Sequence, residues 1–146
     1  MYGRILVPTD GSDGSRRAIE EAVGMAELTG ATLHGLYVVD TRDYNTLPES
    51  KWLDLEDELR AQGEDALDVV RDAAESGVEV ETRIERGIPH EEILAYAEAE
   101  GIDLVVMGTH GRTGLDRFLI GSVAEKVVRS ADVPVLVINL GADQTV

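Results

Sequence analysis

Five short segments rich in Val, Ile and Leu recur along the chain, and each is separated from the next by residues with helical spacing. "RILVP" (4–8), "TLHGLYVV" (32–39), "IDLVVM" (102–107) and "PVLVIN" (134–139) have strand length and are bounded by Gly, Pro or Asp. An aliphatic run without polar alternation is buried on both sides, as in the interior of a parallel sheet. "VEVETRI" (78–84) alternates apolar with polar residues, which predicts a strand with one exposed side.

The intervening segments follow a different period. Ile19, Ala22, Val23 and Ala26 fall at i, i+3, i+4 and i+7, so 15–29 is predicted as a helix facing a core, with Gly30 as its stop. Leu55, Leu59, Ala66, Val70 and Ala73 mark a long helix over about 49–76, and Ile93, Leu94 and Ala97 a shorter one ending near Gly101. A last helix is predicted over 122–130, where Ser122 and Glu125 have the S-x-x-E spacing of a capping box. Strict β-α alternation implies a three-layer α/β fold, a parallel sheet with helices on both faces and right-handed crossovers. A chain of 146 residues can bury one core, and no repeat or boundary interrupts it, so one domain over 1–146 is expected. The polar connection 40–50, "DTRDYNTLPES", is predicted to be a mobile loop and 141–146 to fray.

Charge narrows the function. The chain carries 29 acidic and 13 basic residues, a formal charge of −16, and only two lysines, Lys51 and Lys126. Such a surface repels nucleic acid and anionic membranes. It also suggests a halophilic protein, whose self-repulsion is screened in concentrated salt, over a merely acidic one. Cysteine is absent, which excludes disulfides, thiolate catalysis and Cys-ligated zinc. With no leader-like opening in "MYGRILVPTDG" and no apolar run of spanning length, a cytoplasmic location is expected.

The stretch 108–123, "GTHGRTGLDRFLIGSV", leaves the fourth predicted strand and enters the fourth predicted helix. Ligands of open parallel sheets bind beyond the carboxyl ends of the strands, where strand order reverses. A helix start there presents unpaired N–H groups and a partial charge of about +0.5. Gly121 allows an anion to approach those groups closely, and Gly108 and Gly111 can take positive φ and turn further amides inward. Four of the 13 basic residues but only two of the 29 acidic ones fall in 108–131, so this is a basic island in an acidic chain. The plainer reading is an ordinary βα loop whose Ser122 only caps the helix. No Gly-Lys-Ser or Gly-Lys-Thr follows, and "TDGSDGS" after the first strand lacks the G-x-G-x-x-G pattern, so neither the P-loop nor the dinucleotide fingerprint applies.

Other residues carry less. Asp10 is either a turn residue of "TDGSDGS" or a ligand at the end of the first strand. His34 and His90 are expected to be structural. The three histidines are dispersed, so no metal site made by protein alone is expected. Trp52 and Leu55 are assigned to helix packing, Arg16 and Arg17 to solvent, and the acidic run 56–68 to the wet face of the long helix.

The spacing G-x-x-G, nine residues, then G-S, carried by Gly108, Gly111, Gly121 and Ser122, resembles the signature of ATP-binding universal stress proteins. "ILVPTDGS", "YVVD", "DLVVMGTHGRTG" and "GSVAEKVVRSADVPVLVI" are similar to that family in the same order, over nearly the whole chain. The resemblance implies a Rossmann-like sheet of order 3-2-1-4-5, of the adenine nucleotide alpha hydrolase-like kind, with ATP between the first and fourth strands. It places Pro8, Thr9 and Asp10 at the end of the first strand, with Asp10 on the ribose or a metal ion, Mg²⁺ entering with ATP. Val38 would meet adenine through its backbone. Met107, Gly108, His110, Gly111, Arg112 and Thr113 would line ribose and phosphates, and Gly121, Ser122 and Val123 would bind the phosphates.

Three functions follow from these readings: a regulatory switch in which ATP orders the segment 107–122 for a partner, a slow ATPase, or a structural dimer without nucleotide. The enzyme reading lacks a clear general base beyond Asp10. In the implied strand order the fifth strand lies at an edge, and the uncharged "VPVLVI" (133–138) would then be covered by a second copy in a homodimer, or blunted by Pro134 alone.

Overall fold

Strands β1 (Arg4–Pro8), β2 (Thr32–Asp40), β3 (Val80–Gly87), β4 (Leu104–Gly108) and β5 (Val135–Ile138) form one parallel sheet in the order β3-β2-β1-β4-β5. The computed structural model describes residues 2–44, 46–74, 77–109 and 121–139. Its helices are α1 (Asp13–Thr29), α2 (Glu49–Ala73), α3 (Pro89–Ala99) and α4 (Ser122–Ser130).

The pleat sorts the central strands into two cores. Ile5 and Val7 of β1 and Leu104 and Val106 of β4 meet Ala18, Ile19, Ala22 and Ala26 of α1, with Val70 of α2 beside them. Leu6, Leu36, Val105 and Met107 point the other way, onto Ile93 and Tyr96 of α3 and Ala124 and Val127 of α4. Helices therefore cover both faces, which is why β1 and β4 show no polar alternation. A third cluster seats Leu59, Ala66 and Leu67 of α2 on Tyr37 and Val39 of β2.

Several boundaries differ from expectation. α1 starts at Asp13 because Ser12 caps it, its Oγ accepting the Ser15 amide at 3.2 Å. It stops at Gly30 (φ 74°), whose N–H donates to the Ala26 carbonyl at 2.8 Å. β3 runs two residues later at its start and three at its end, because it stays in register with β2 from Leu33↔Val80 to Asp40↔Gly87. The connection 40–50 is not all loop. Thr41–Tyr44 forms a 3-10 turn, and Arg42 clamps Asp40 through Nε at 2.9 Å and Nη2 at 2.8 Å. Trp52 is not a buried packing residue. It remains 37% exposed beside Leu53, its indole N–H donating to the Leu47 carbonyl at 3.0 Å. The acidic run of α2 is wet on one side only: Leu59, Gly63, Ala66 and Leu67 are buried, and Glu56 pairs with Arg86 at 2.9 Å.

His34 lies within a strand, as expected, and is buried in the core. It is 1% exposed, and its Nδ1 lies 2.7 Å from the Tyr96 hydroxyl, linking β2 to α3. Among the described residues its Nε2 has no partner. Burial pushes its pKa below the ordinary value, against the pull of Glu81 and Glu100 and with the help of Arg4 and Arg83. The unfolded chain then takes up the proton first, so this histidine's contribution is complete above pH of about 6.5 and declines as pH falls below it. Urea midpoints should drop between pH 7.5 and 5, and His34→Gln should flatten that slope. An unchanged slope in the variant would assign it to other groups.

The surface charge makes a second prediction. Exposed pairs such as Arg71–Asp68 (2.6 Å) and Arg83–Glu85 (3.1 Å) cannot offset the negative charge, since 29 acids stand against 13 bases. The melting temperature should rise as KCl is raised from 0.05 to 2 M. Full stability at low salt would refute the halophilic expectation. Among the described residues, no helix is long and apolar enough to cross a membrane.

Candidate functional site

β1 has β2 on one side and β4 on the other, so the chain reverses its winding direction there. At the carboxyl ends of these strands lies a cavity of about 290 Å³. This is the crevice expected to take ligands in a sheet of this type. Pro8, Thr9 and Asp10 reach it from β1, Leu36, Val38 and Asp40 from β2, and Met107, Gly108 and Thr109 from β4. Pro89 and Ile93 of α3, Gly121, residues 122–124 of α4, Ser15 and Arg42 also line it.

The loop after β1 is held by its own side chains. Thr9 keeps to the sheet, its amide donating to the Leu36 carbonyl at 2.9 Å. Its Oγ1 accepts the Gly11 amide at 3.1 Å, and Gly11 takes φ 82°, a conformation that favours glycine. Asp10 Oδ1 accepts the Ser12 amide at 2.9 Å and the Ser15 hydroxyl at 2.7 Å. Asp10 therefore shapes the turn, and it also lines the cavity.

The start of α4 is built differently. The Thr109 amide donates to the Ile138 carbonyl at 3.0 Å, and the Thr109 carbonyl accepts the Gly121 amide, which brings the helix start against the end of β4. Gly121 is the N-cap (φ −61°, ψ 155°), and its carbonyl accepts the Glu125 amide at 2.9 Å. The Ser122–Glu125 capping box therefore does not form. Ser122 already occupies the first helical position, is exposed, and makes no cap. The amides of Ser122, Val123 and Ala124 precede the first i→i−4 bond, and no acceptor among the described residues engages them. They sit in the wall of the cavity with the positive end of the helix dipole.

Of the residues named from sequence, Pro8, Thr9, Asp10, Val38, Met107, Gly108, Gly121, Ser122 and Val123 all converge on this cavity. His110, Gly111, Arg112 and Thr113 lie outside the described residues. Two details are corrected. Gly108 lacks the positive φ expected of it, because it continues the β4 ladder opposite Ile138. The Gly121 amide is engaged by Thr109, so the donors without an acceptor among the described residues are those of 122–124. Sequence reasoning missed Ser15, Leu36, Asp40, Arg42, Pro89, Ile93, Thr109 and Ala124. Thr109 lies within the glycine motif, Ala124 follows it and Asp40 ends "YVVD", so these three carried a signal. The others reach the wall only through tertiary packing.

The described part of the wall offers amides at α4 that no described acceptor engages, the Asp10 carboxylate, the Asp40–Arg42 pair, and apolar side chains from Leu36, Val38, Ile93 and Met107. This set suits a molecule with an anionic end, hydroxyl groups and a flat apolar part.

Residues 1–139 match the model of the universal stress protein family. Universal stress protein MJ0531 of Methanocaldococcus jannaschii is 43% identical over 141 residues, covering 95% of this chain and 83% of that protein. The solved structure of hypothetical protein MJ0577 of the same organism aligns with a TM-score of 0.85 at 34% identity, covering 94% of this chain and 96% of that one. The structure of a universal stress protein in complex with cAMP aligns with a TM-score of 0.68 at 27% identity, covering 94% and 96%.

Proposed function

This chain belongs to the universal stress protein family, and on that footing we propose that its cavity binds ATP and that the protein is a nucleotide-dependent regulatory switch in the stress response. The observation that carries the reading is the uncapped start of α4, whose amides at 122–124 lie in the cavity wall without acceptors among the described residues. A triphosphate there meets main-chain donors and the positive end of a helix dipole. Adenine then lies along Val38 and Ile93, and the ribose beside Asp10. The relative in complex with cAMP supports an adenine nucleotide as the ligand class. Bound state would be read by a partner protein, since ligand occupancy is what the two states differ in.

Mg²⁺ fits this reading in a limited way. Among the described residues no group of three or more His, Cys, Asp or Glu comes together to hold a metal. A cation would be held mainly by phosphate oxygens, with the cavity-lining carboxylate of Asp10 as a candidate ligand, and it would supply charge neutralisation. Isothermal titration with ATP, with and without Mg²⁺, tests the proposal. Saturable binding below millimolar ATP is expected, and no binding at millimolar ATP overturns it. Phosphate release under single turnover then separates a switch from a slow ATPase.

We also propose that a second copy covers β5. This strand ends the sheet, with Leu136 36% exposed on it and Val128 46% exposed on the adjoining α4. An apolar edge of this kind is a hazard unless paired. The carbonyl of Pro134 is already engaged by the Val105 amide at 3.0 Å, on the β4 side. Sedimentation at micromolar concentration should give a dimer, and a monomer would refute it.

A further inference from the structure

α1 needs one side-chain cap, and Ser12 supplies it through the Ser15 amide at 3.2 Å. A second hydroxyl is nevertheless turned back out of the helix. Ser15, in the third helical position, places its Oγ 2.7 Å from Asp10 Oδ1, 3.3 Å from the Asp10 amide and 3.2 Å from Ser12 Oγ. Proton directions follow from the groups. An ionised carboxylate only accepts, so the Ser15 hydroxyl donates to Asp10. Ser15 Oγ then accepts from the Asp10 amide and from the Ser12 hydroxyl. Its bond to Asp10 is short, as charge-assisted O–H···O bonds are. With the Ser12 amide on the same oxygen at 2.9 Å, two donors among the described residues hold the Asp10 carboxylate. The Ser12 amide bond is the one that closes the turn. Ser15 also lines the cavity with Asp10.

We propose that Ser15 is a positioning residue that holds the Asp10 carboxylate in the one orientation that receives the ribose hydroxyls of a bound nucleotide. The inference rests on the nucleotide reading above. The ribose is the part of the ligand that fits, on electrostatic grounds. The triphosphate belongs at α4, and a carboxylate repels it, whereas a diol offers two O–H donors to a group that only accepts. Holding the carboxylate in advance removes the ordering cost of one side chain on binding, which is worth about a fivefold gain in affinity.

The test is calorimetric titration of wild type, Ser15→Ala and Ser15→Thr with ATP and with 2′,3′-dideoxy-ATP, each with a melting curve. Wild type should prefer ATP. Ser15→Ala should bind ATP about fivefold more weakly yet bind the dideoxy analogue as wild type does, so that discrimination shrinks. Ser15→Thr, which keeps the hydroxyl, should restore it. Equal weakening of both ligands, no weakening of either, discrimination unchanged, or no rescue by threonine would each overturn the proposal. A wild type that binds ATP without preferring it over the analogue overturns the ribose contact while leaving the nucleotide reading in place. A wild type that binds neither overturns both.

Discussion

Ser122→Glu should weaken ATP binding by about a hundredfold while raising the melting temperature. The side chain is exposed at the first position of α4, so the larger residue is tolerated there. Its carboxylate supplies the amides of 122–124 with the anion that a ligand would otherwise bring. A negative group in the first turn contributes about 0.3–1 kcal/mol to the helix, which corresponds to roughly one to three degrees in a chain of this size. The same charge about 5 Å from a phosphate repels it by about 3 kcal/mol at an effective dielectric near 20, a factor of about one hundred. Ser122→Ala is the control. The donors are main-chain groups, so alanine should bind ATP within about threefold of wild type. Titration and thermal melts of both variants check this. A glutamate variant that binds ATP normally would remove the phosphate from α4.

Gly63→Ala should lower stability by about 2 kcal/mol, although alanine is the better helix former. Gly63 lies in α2 where the helix backbone crosses Tyr37 of β2, and an added Cβ would sit 2.7 Å from ring Cδ1 and 3.1 Å from Cε1. Tyr37 is 3% exposed, so the ring has nowhere to yield. Overpacking of this severity costs about 3 kcal/mol, offset by about 1 kcal/mol of helix propensity. The melting temperature should fall by about six degrees. Gly24→Ala supplies the opposite sign. An added Cβ at this α1 position meets nothing within 4 Å, so propensity alone acts and stability should rise by about 1 kcal/mol. Chemical denaturation of the two variants side by side decides the matter. Equal stabilisation of both would mean that the Tyr37 ring does move aside.

How much of this was legible in advance depends on the range of the forces involved. The strands could be read because Ile5–Val7 and Leu104–Val106 are apolar on both faces, and α1 because its apolar positions repeat at the helical period. The residues near the ends of β1 and β4 were named through the family resemblance that Gly108, Gly111, Gly121 and Ser122 carry at fixed spacing. Gly63 could not. In a string of acidic helix formers it looks like a flaw, and only the approach of Tyr37 from another element explains it. The capping box failed for a related reason. S-x-x-E describes a helix start that is free to choose its cap, whereas here Thr109 holds the Gly121 amide and shifts the cap back by one residue.

The amino-acid sequence by itself determined the alternation of strands and helices, the two-sided burial of β1 and β4, the acidic surface and the position of the anion-attracting helix start. Each of these follows from periodicity, composition or local turn chemistry, which act over a few residues. Tertiary structure alone decided which elements meet across the cavity, that Gly63 faces Tyr37, and that His34 reaches Tyr96 over 62 positions of sequence. Those contacts depend on strand order and helix placement, and these are settled by the packing of the whole sheet.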